Sequence, residues 1–249
     1  MIRANCRERF TADDFQFIAN VLAGKSKSER NALSKLLSDE DSRDLALDDK
    51  ALFDKVTAKS GFPKISPFLY FYLLTRRALL ENQIDARSVA DYVASMLAHF
   101  CVASRAQTIS SLHENRYEYM VDMMIDSLEA SSFEAFLLRS HMGNHALFVT
   151  GIFPERVYYK ATYGRRAPGF DYYEKMGSSS YRWASRHQYA PKFELENVFD
   201  QLADHFQGVR LALNRLSDNY MSLAATSSID RLLRQMIFST GSGNPPAEA

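Results

Sequence analysis

The stretch SPFLYFYLLTRRALLE, residues 66–81, decides the fold class. Ser66 offers its hydroxyl to an orphan amide of a first helical turn, and Pro67 stands where its missing N–H costs nothing. The residues that follow are apolar almost all round, which predicts a helix in the core with Arg76 and Arg77 emerging at its far end.

Working outward, the same signals recur. Thr11 is placed to cap a helix running to Ala23, with Asp13 and Asp14 in its first turn, Phe15, Ile18 and Leu22 on one face, and Gly24 as its stop. Ser26 or Ser28 starts a segment bearing Leu33, Leu36 and Leu37, and Asp48 or Asp49 starts another bearing Leu52, Phe53 and Val56, which Gly61 ends. Downstream, Asp85 is positioned to cap a helix whose stripe is Val89, Tyr92, Val93, Met96, Leu97 and Phe100. Further helices are expected over 113–130, 132–150 and 154–162. Another begins at Asp171, interrupted near Gly177, and the last three cover 194–206, 208–222 and 227–238. The one β-leaning run, LFVTGIF at 147–153, continues a helical phase. The expectation is an all-α multi-helix bundle of about ten helices. It forms a single domain over 1–239 with a sub-boundary in the polar run ASRAQTISS at 103–111, followed by a disordered tail at 240–249. The phrases SPFLYFYLLTRRALL (66–80) and HMGNHALFVTGIFPERV (141–157) resemble stretches of bacterial helical proteins, a likeness that brings no function with it.

Composition narrows the function classes. Thirty Lys/Arg against 30 Asp/Glu leave no global field, which argues against a nucleic-acid partner. No run of 18 apolar residues exists to span a membrane, and the polar start MIRANCRERF has no signal-peptide core, so a cytoplasmic protein is expected. Cys6 and Cys101, the two cysteines, are read as free thiols, and the apolar neighbours of Cys101 predict burial and not catalysis. Walker, GxGxxG and GxSxG motifs are missing, so neither a catalytic constellation nor a cofactor is expected.

Charge is segregated, however. Residues 153–192 hold seven of the 13 tyrosines, the single tryptophan, and eight Lys/Arg against three acidic residues. Tyrosine and arginine are residues of binding hot spots, so this basic aromatic segment is the predicted site for an anionic small molecule or a protein partner. Its named residues are Arg165 and Arg166 on a glycine-flanked loop, Arg182 and Arg186 at helical i, i+4 spacing, and Tyr163, Tyr172 and Tyr173. The competing structural reading packs the same tyrosines at the core edge and pairs the arginines with acids from the remainder. Phe133, Phe136, Leu137, Leu147 and Phe148 predict the inward face of helix 132–150, with Ser140 and Asn144 at its centre; a buried Asn144 needs a partner or aims into a pocket.

Two alternatives compete. His141 and His145 share a helix face, and with Glu118 and Asp122 they would form the weak candidate set for a metal-dependent helical-bundle enzyme. Phase opposes it: the apolar residues Tyr117, Val121, Met124 and Leu128 are expected inward, which turns the row Glu114, Glu118, Asp122, Asp126 toward water. The second alternative is single-stranded nucleic acid stacked on the tyrosines. His99 reads as a core-edge residue, while His113, His187 and His205 stand alone. The sequence sets no oligomeric state. The leading expectation is a non-enzymatic binding protein acting through about residues 156–192.

Overall fold

The computed structural model describes residues 1–24, 26–58, 64–100, 120–163 and 168–220. Among them are twelve α-helices and no strand, as the capping and periodicity predict, and 147–152 lies within a helix that Phe153 caps. The expected stop at Gly61, the break at 103–111, the helix over 227–238 and the tail at 240–249 lie outside the described residues. The chain divides into two compact units, Ile2–Ala98 and His99 onward.

In the N-terminal unit, α1 (Ala12–Leu22), α2 (Lys27–Leu36), α3 (Glu40–Leu47), α4 (Lys50–Thr57) and α5 (Pro67–Glu81) each start on a side-chain cap, in order Thr11, Ser26, Asp39, Asp49 and Ser66. Asp14 closes the capping box of α1 and also accepts the Ser66 amide at 2.7 Å, so one buried carboxylate ties the starts of α1 and α5 together. The sixth helix, α6 (Arg87–Phe100), reaches the division between units in its last turn. Periodicity missed α3, whose eight residues carry only a short apolar stripe.

Arg76 does not emerge from the core: it is buried in it. Its guanidinium grips Asp48 through Nε (2.8 Å) and Nη2 (3.0 Å) and meets Asp85 at 2.5 Å. An arginine this deep needs such partners, because an unpaired buried charge costs several kcal/mol. Arg87 adds a 2.8 Å contact to Asp48. Burial pushes the Asp48 carboxyl up, and the hydrogen bond and charge of Arg76, with Arg87, outweigh it and hold the group below its usual range. A second pair of carboxylates, Asp44 and Asp91, surrounds Arg7, whose amide and Nε donate to Asp91 at 3.0 and 3.2 Å. Burial dominates at Asp91 and raises its carboxyl to about 6 against the pull of Arg7.

The C-terminal unit comprises α7 (Met120–Glu129), α8 (Ser132–Ile152), α9 (Pro154–Tyr163), α10 (Phe170–Ser185), α11 (Glu196–Asp204) and α12 (Phe206–Tyr220). Helix α8 is its axis and packs against α7, α9, α10 and α12. Ser131 and Glu134 form a capping box at its start. At its far end, Asn214 of α12 donates to the carbonyls of Thr150 (2.7 Å) and Gly151 (2.8 Å), and Ser217 donates to that of Ile152 (2.8 Å). These are carbonyls that a helix end leaves without intrahelical donors.

Two expectations of phase are corrected here. Helix α10 is continuous through Gly177, which is a packing glycine and not a break: a Cβ there would lie 2.5 Å from the Phe206 ring and 2.9 Å from Ala146. Helix α7 buries Met120, Met123 and Ser127, while Val121 and Leu128, expected inward, are 51% and 73% exposed. The inward row is displaced by one residue, and Asp122 and Asp126 still face outward.

Gly177→Ala is expected to destabilise the C-terminal unit by about 1–3 kcal/mol, read as a lowered urea midpoint, because the added Cβ would force the buried Phe206 ring and Ala146 to shift. Asp91 predicts a pH dependence in the N-terminal unit. A carboxyl whose pKa rises on folding contributes stability that is complete below its unfolded value and lost as the pH climbs through the folded value of about 6. Asp91→Asn stays neutral, so the variant is expected to gain on the wild type as the pH rises from about 4 to about 7. A variant that instead loses ground over that range would show that the attraction of Arg7 outweighs burial.

Candidate functional site

The seven tyrosines of residues 153–192 scatter. Tyr158 is buried with Val157 and Phe170, and Tyr173 packs against that cluster, where burial raises its phenol. Tyr172 meets Tyr173 edge to face at 5.5 Å. Tyr159 and Tyr163 form an exposed pair on α9 at 5.0 Å. Tyr181 lies in the core, its ring against Phe199 and its hydroxyl donating to Asn144 Oδ1 at 2.8 Å, so Asn144 has the structural partner its burial demands. Only Tyr189 reaches a surface shared with the tryptophan. Eleven residues of helix separate Tyr172 from Trp183, about 16 Å along the axis, so these do not make one site.

The arginines part company too. Arg182 is committed to α11: Nη1 donates to Asp200 at 2.6 Å, Nη2 donates to Asp204, and Ser185 Oγ reinforces Asp200 at 2.7 Å. The Ser185 hydrogen bond, followed by Arg182, lowers the Asp200 carboxyl. Arg186, one turn on, is exposed and its guanidinium has no hydrogen bond among the described residues, though its charge reaches Asp200. Arg165 and Arg166 lie outside the described residues, as do Glu114, Glu118, His113 and Cys101.

What does converge is a surface built by the start of α8, the end of α10 and the turn after it. Ser179, Arg182, Trp183 and Arg186 follow one helical face, and with His187 they line a shallow depression of about 370 Å³. Trp183, at 37% exposure, has the Arg139 guanidinium over its ring at 5.4 Å and the His187 ring at 4.8 Å. His187 continues the stack onto Phe136 (5.4 Å) and Tyr189 (5.5 Å). Phe133, expected inward, is 38% exposed at the edge of this cluster and touches Tyr189. Lys192 lies over Tyr189 at 4.7 Å.

Partners fix the histidine tautomer. The Tyr189 amide donates to Nδ1 at 3.4 Å, so Nε2 carries the proton and donates to Ser132 Oγ at 3.2 Å. Gln188 Nε2 donates to the same oxygen at 2.9 Å, which leaves the Ser132 hydroxyl proton free to turn outward. Burial lowers the imidazole pKa and favours this neutral form.

Arg139 is the residue that sequence reasoning missed. Its Nε is buried without an acceptor, no carboxylate lies within ion-pair reach among the described residues, and burial alone lowers its pKa. A signal did exist: between Glu134 and Glu155 it is the single Lys, Arg, Asp or Glu in the chain. His187, which stands alone in the sequence, is the centre of the aromatic stack.

The histidine pair of α8 is placed differently. His141 is buried edge-on to Phe100 at 5.8 Å, with His145 at 6.3 Å, and Asp122 is exposed on α7. Among the described residues no three His, Cys, Asp or Glu side chains come together to hold a metal. No described helix is long and apolar enough to cross a membrane. No protein-family model, curated protein or solved structure matches this chain.

The two arginines of α10 are therefore expected to behave differently on replacement. Arg182→Ala removes the clamp to α11 and lowers the melting temperature, by about 1 kcal/mol of stability given its partial exposure. Arg186→Ala leaves the melting curve unchanged. Equal effects would show that the clamp contributes nothing.

Proposed function

We propose that this chain is a non-enzymatic, cytoplasmic binding protein whose C-terminal unit takes up an acidic, aromatic-bearing segment of a partner protein on the Arg139, Trp183, Arg186 surface. One observation carries the reading: a half-buried guanidinium, unpaired in the described structure, lies against the exposed ring of the chain's single tryptophan. Leaving a buried donor unmatched costs about 1–3 kcal/mol, which an incoming carboxylate would recover. Trp and Arg with neighbouring Tyr are the anchors that bind most strongly in protein interfaces, and the rim supplies Arg186 and Lys192 for complementary charge. The depression is open to solvent and only five residues line it, which favours an extended segment laid across it.

The site contains its own reporter, since all tryptophan emission of the protein comes from Trp183. Titration with a random glutamate–tyrosine copolymer is expected to shift that emission saturably at low salt, with the shift weakening as salt rises. Arg186→Glu is expected to abolish it, and poly-lysine to have no effect. Emission that ignores the copolymer, or a response that survives Arg186→Glu, rejects this surface. A response to a mixed single-stranded oligonucleotide in place of the copolymer would assign the stack to base recognition instead.

A further inference from the structure

We propose that the N-terminal unit carries a binding groove of its own, for a small organic anion with an apolar body. A concavity of about 770 Å³ opens between α1, α2 and the start of α3, within the size range of pockets that hold small ligands. Ala19 and Leu37, both buried, give it an apolar floor, and Phe15 lines it with them. Lys27, Arg30 and Arg43 line it and no carboxylate does. Among the described residues none of these three cations has an ion-pair partner. Arg30 reaches only the Asn20 amide oxygen, at 3.2 Å.

Arg43 supplies an independent observation. Its Nε is buried and has no acceptor, although the guanidinium stands one turn into α3 where Asp39 feels its charge. The Asp39 carboxylate accepts from the Ser42 amide at 2.9 Å and makes no hydrogen bond with that donor. Three cations gathered in one concave wall repel each other, and a buried N–H without an acceptor is an unfilled contact. A phosphate or carboxylate in the groove answers both, with forked hydrogen bonds from the guanidiniums. The apolar floor then receives a ring-sized body, and Asn20 and Asn31 on the wall offer amides to its polar edge.

The probes are 1-naphthyl phosphate and 1-naphthoate, with 1-naphthol and inorganic phosphate as their separate halves, titrated calorimetrically into the full chain. Saturable binding of at least one aryl anion is expected, at least about tenfold tighter than either half, and the tighter of the two names the head group. Arg30→Gln with Arg43→Gln is expected to weaken it by about tenfold or more, whereas Trp183→Ala leaves it unchanged. If the double variant fails to fold, Asn31→Asp, on an exposed position of α2, is expected to weaken binding by placing a like charge at the wall. No saturable binding to wild type up to about 5 mM, naphthol binding as tightly as its phosphate, or indifference to these variants would overturn the assignment.

Discussion

The near contact of α8 and α10 is the constraint on which the C-terminal unit depends. It is possible because glycines face the partner helix at two levels, Gly143 under the Tyr181 ring and Gly177 between Phe206 and Ala146. Side chains at either level would force the helices apart, and the Tyr181 hydroxyl would lose Asn144. The same crossing fixes the rotation of α10 and hence the face on which Ser179, Trp183 and Arg186 appear. It also sets Arg139 of α8 across from the indole. The candidate surface is thus a by-product of core packing, and its geometry is as rigid as the crossing beneath it.

The N-terminal unit is organised on a different principle. Its first four helices are short, and polar contacts are added to the apolar core of α5 and α6: Asp14 between α1 and α5, and Asp44 and Asp48 between α3 and the arginines at positions 7, 76 and 87. Buried charge pairs of this kind contribute little net stability over well-packed apolar residues, yet they penalise any arrangement that leaves one member alone. They set how short helices dock more than how strongly they hold.

Local signals in the sequence were read correctly where the physics is local. Thr11 and Ser66 announce themselves because a cap needs only a hydroxyl or carboxylate beside the first turn. Phase failed where several apolar rows compete: α7 carries methionines and branched residues on adjacent rows, and only the neighbouring helix decides which is buried. Of the named binding residues, Arg186 survives on the candidate surface, Arg182 is absorbed by Asp200 and Asp204, and Asn144 by Tyr181. Counting tyrosines over a segment could not separate those facing the core from those facing water. Arg139 was missed because its meaning comes from a missing carboxylate, which is a property of three-dimensional surroundings and not of spacing.

Cys6 is fully buried beside Asp91, its thiol donating to the Phe68 carbonyl at 3.2 Å, and burial first, then the neighbouring carboxylate, pushes its pKa upward. A thiol held protonated out of solvent reacts with alkylating reagents only when the structure around it opens. Labelling at that one peptide therefore times the opening of the N-terminal unit, while indole emission follows the C-terminal unit through Trp183. The native chain needs no engineered probe to reveal whether its halves unfold as one cooperative body or as two.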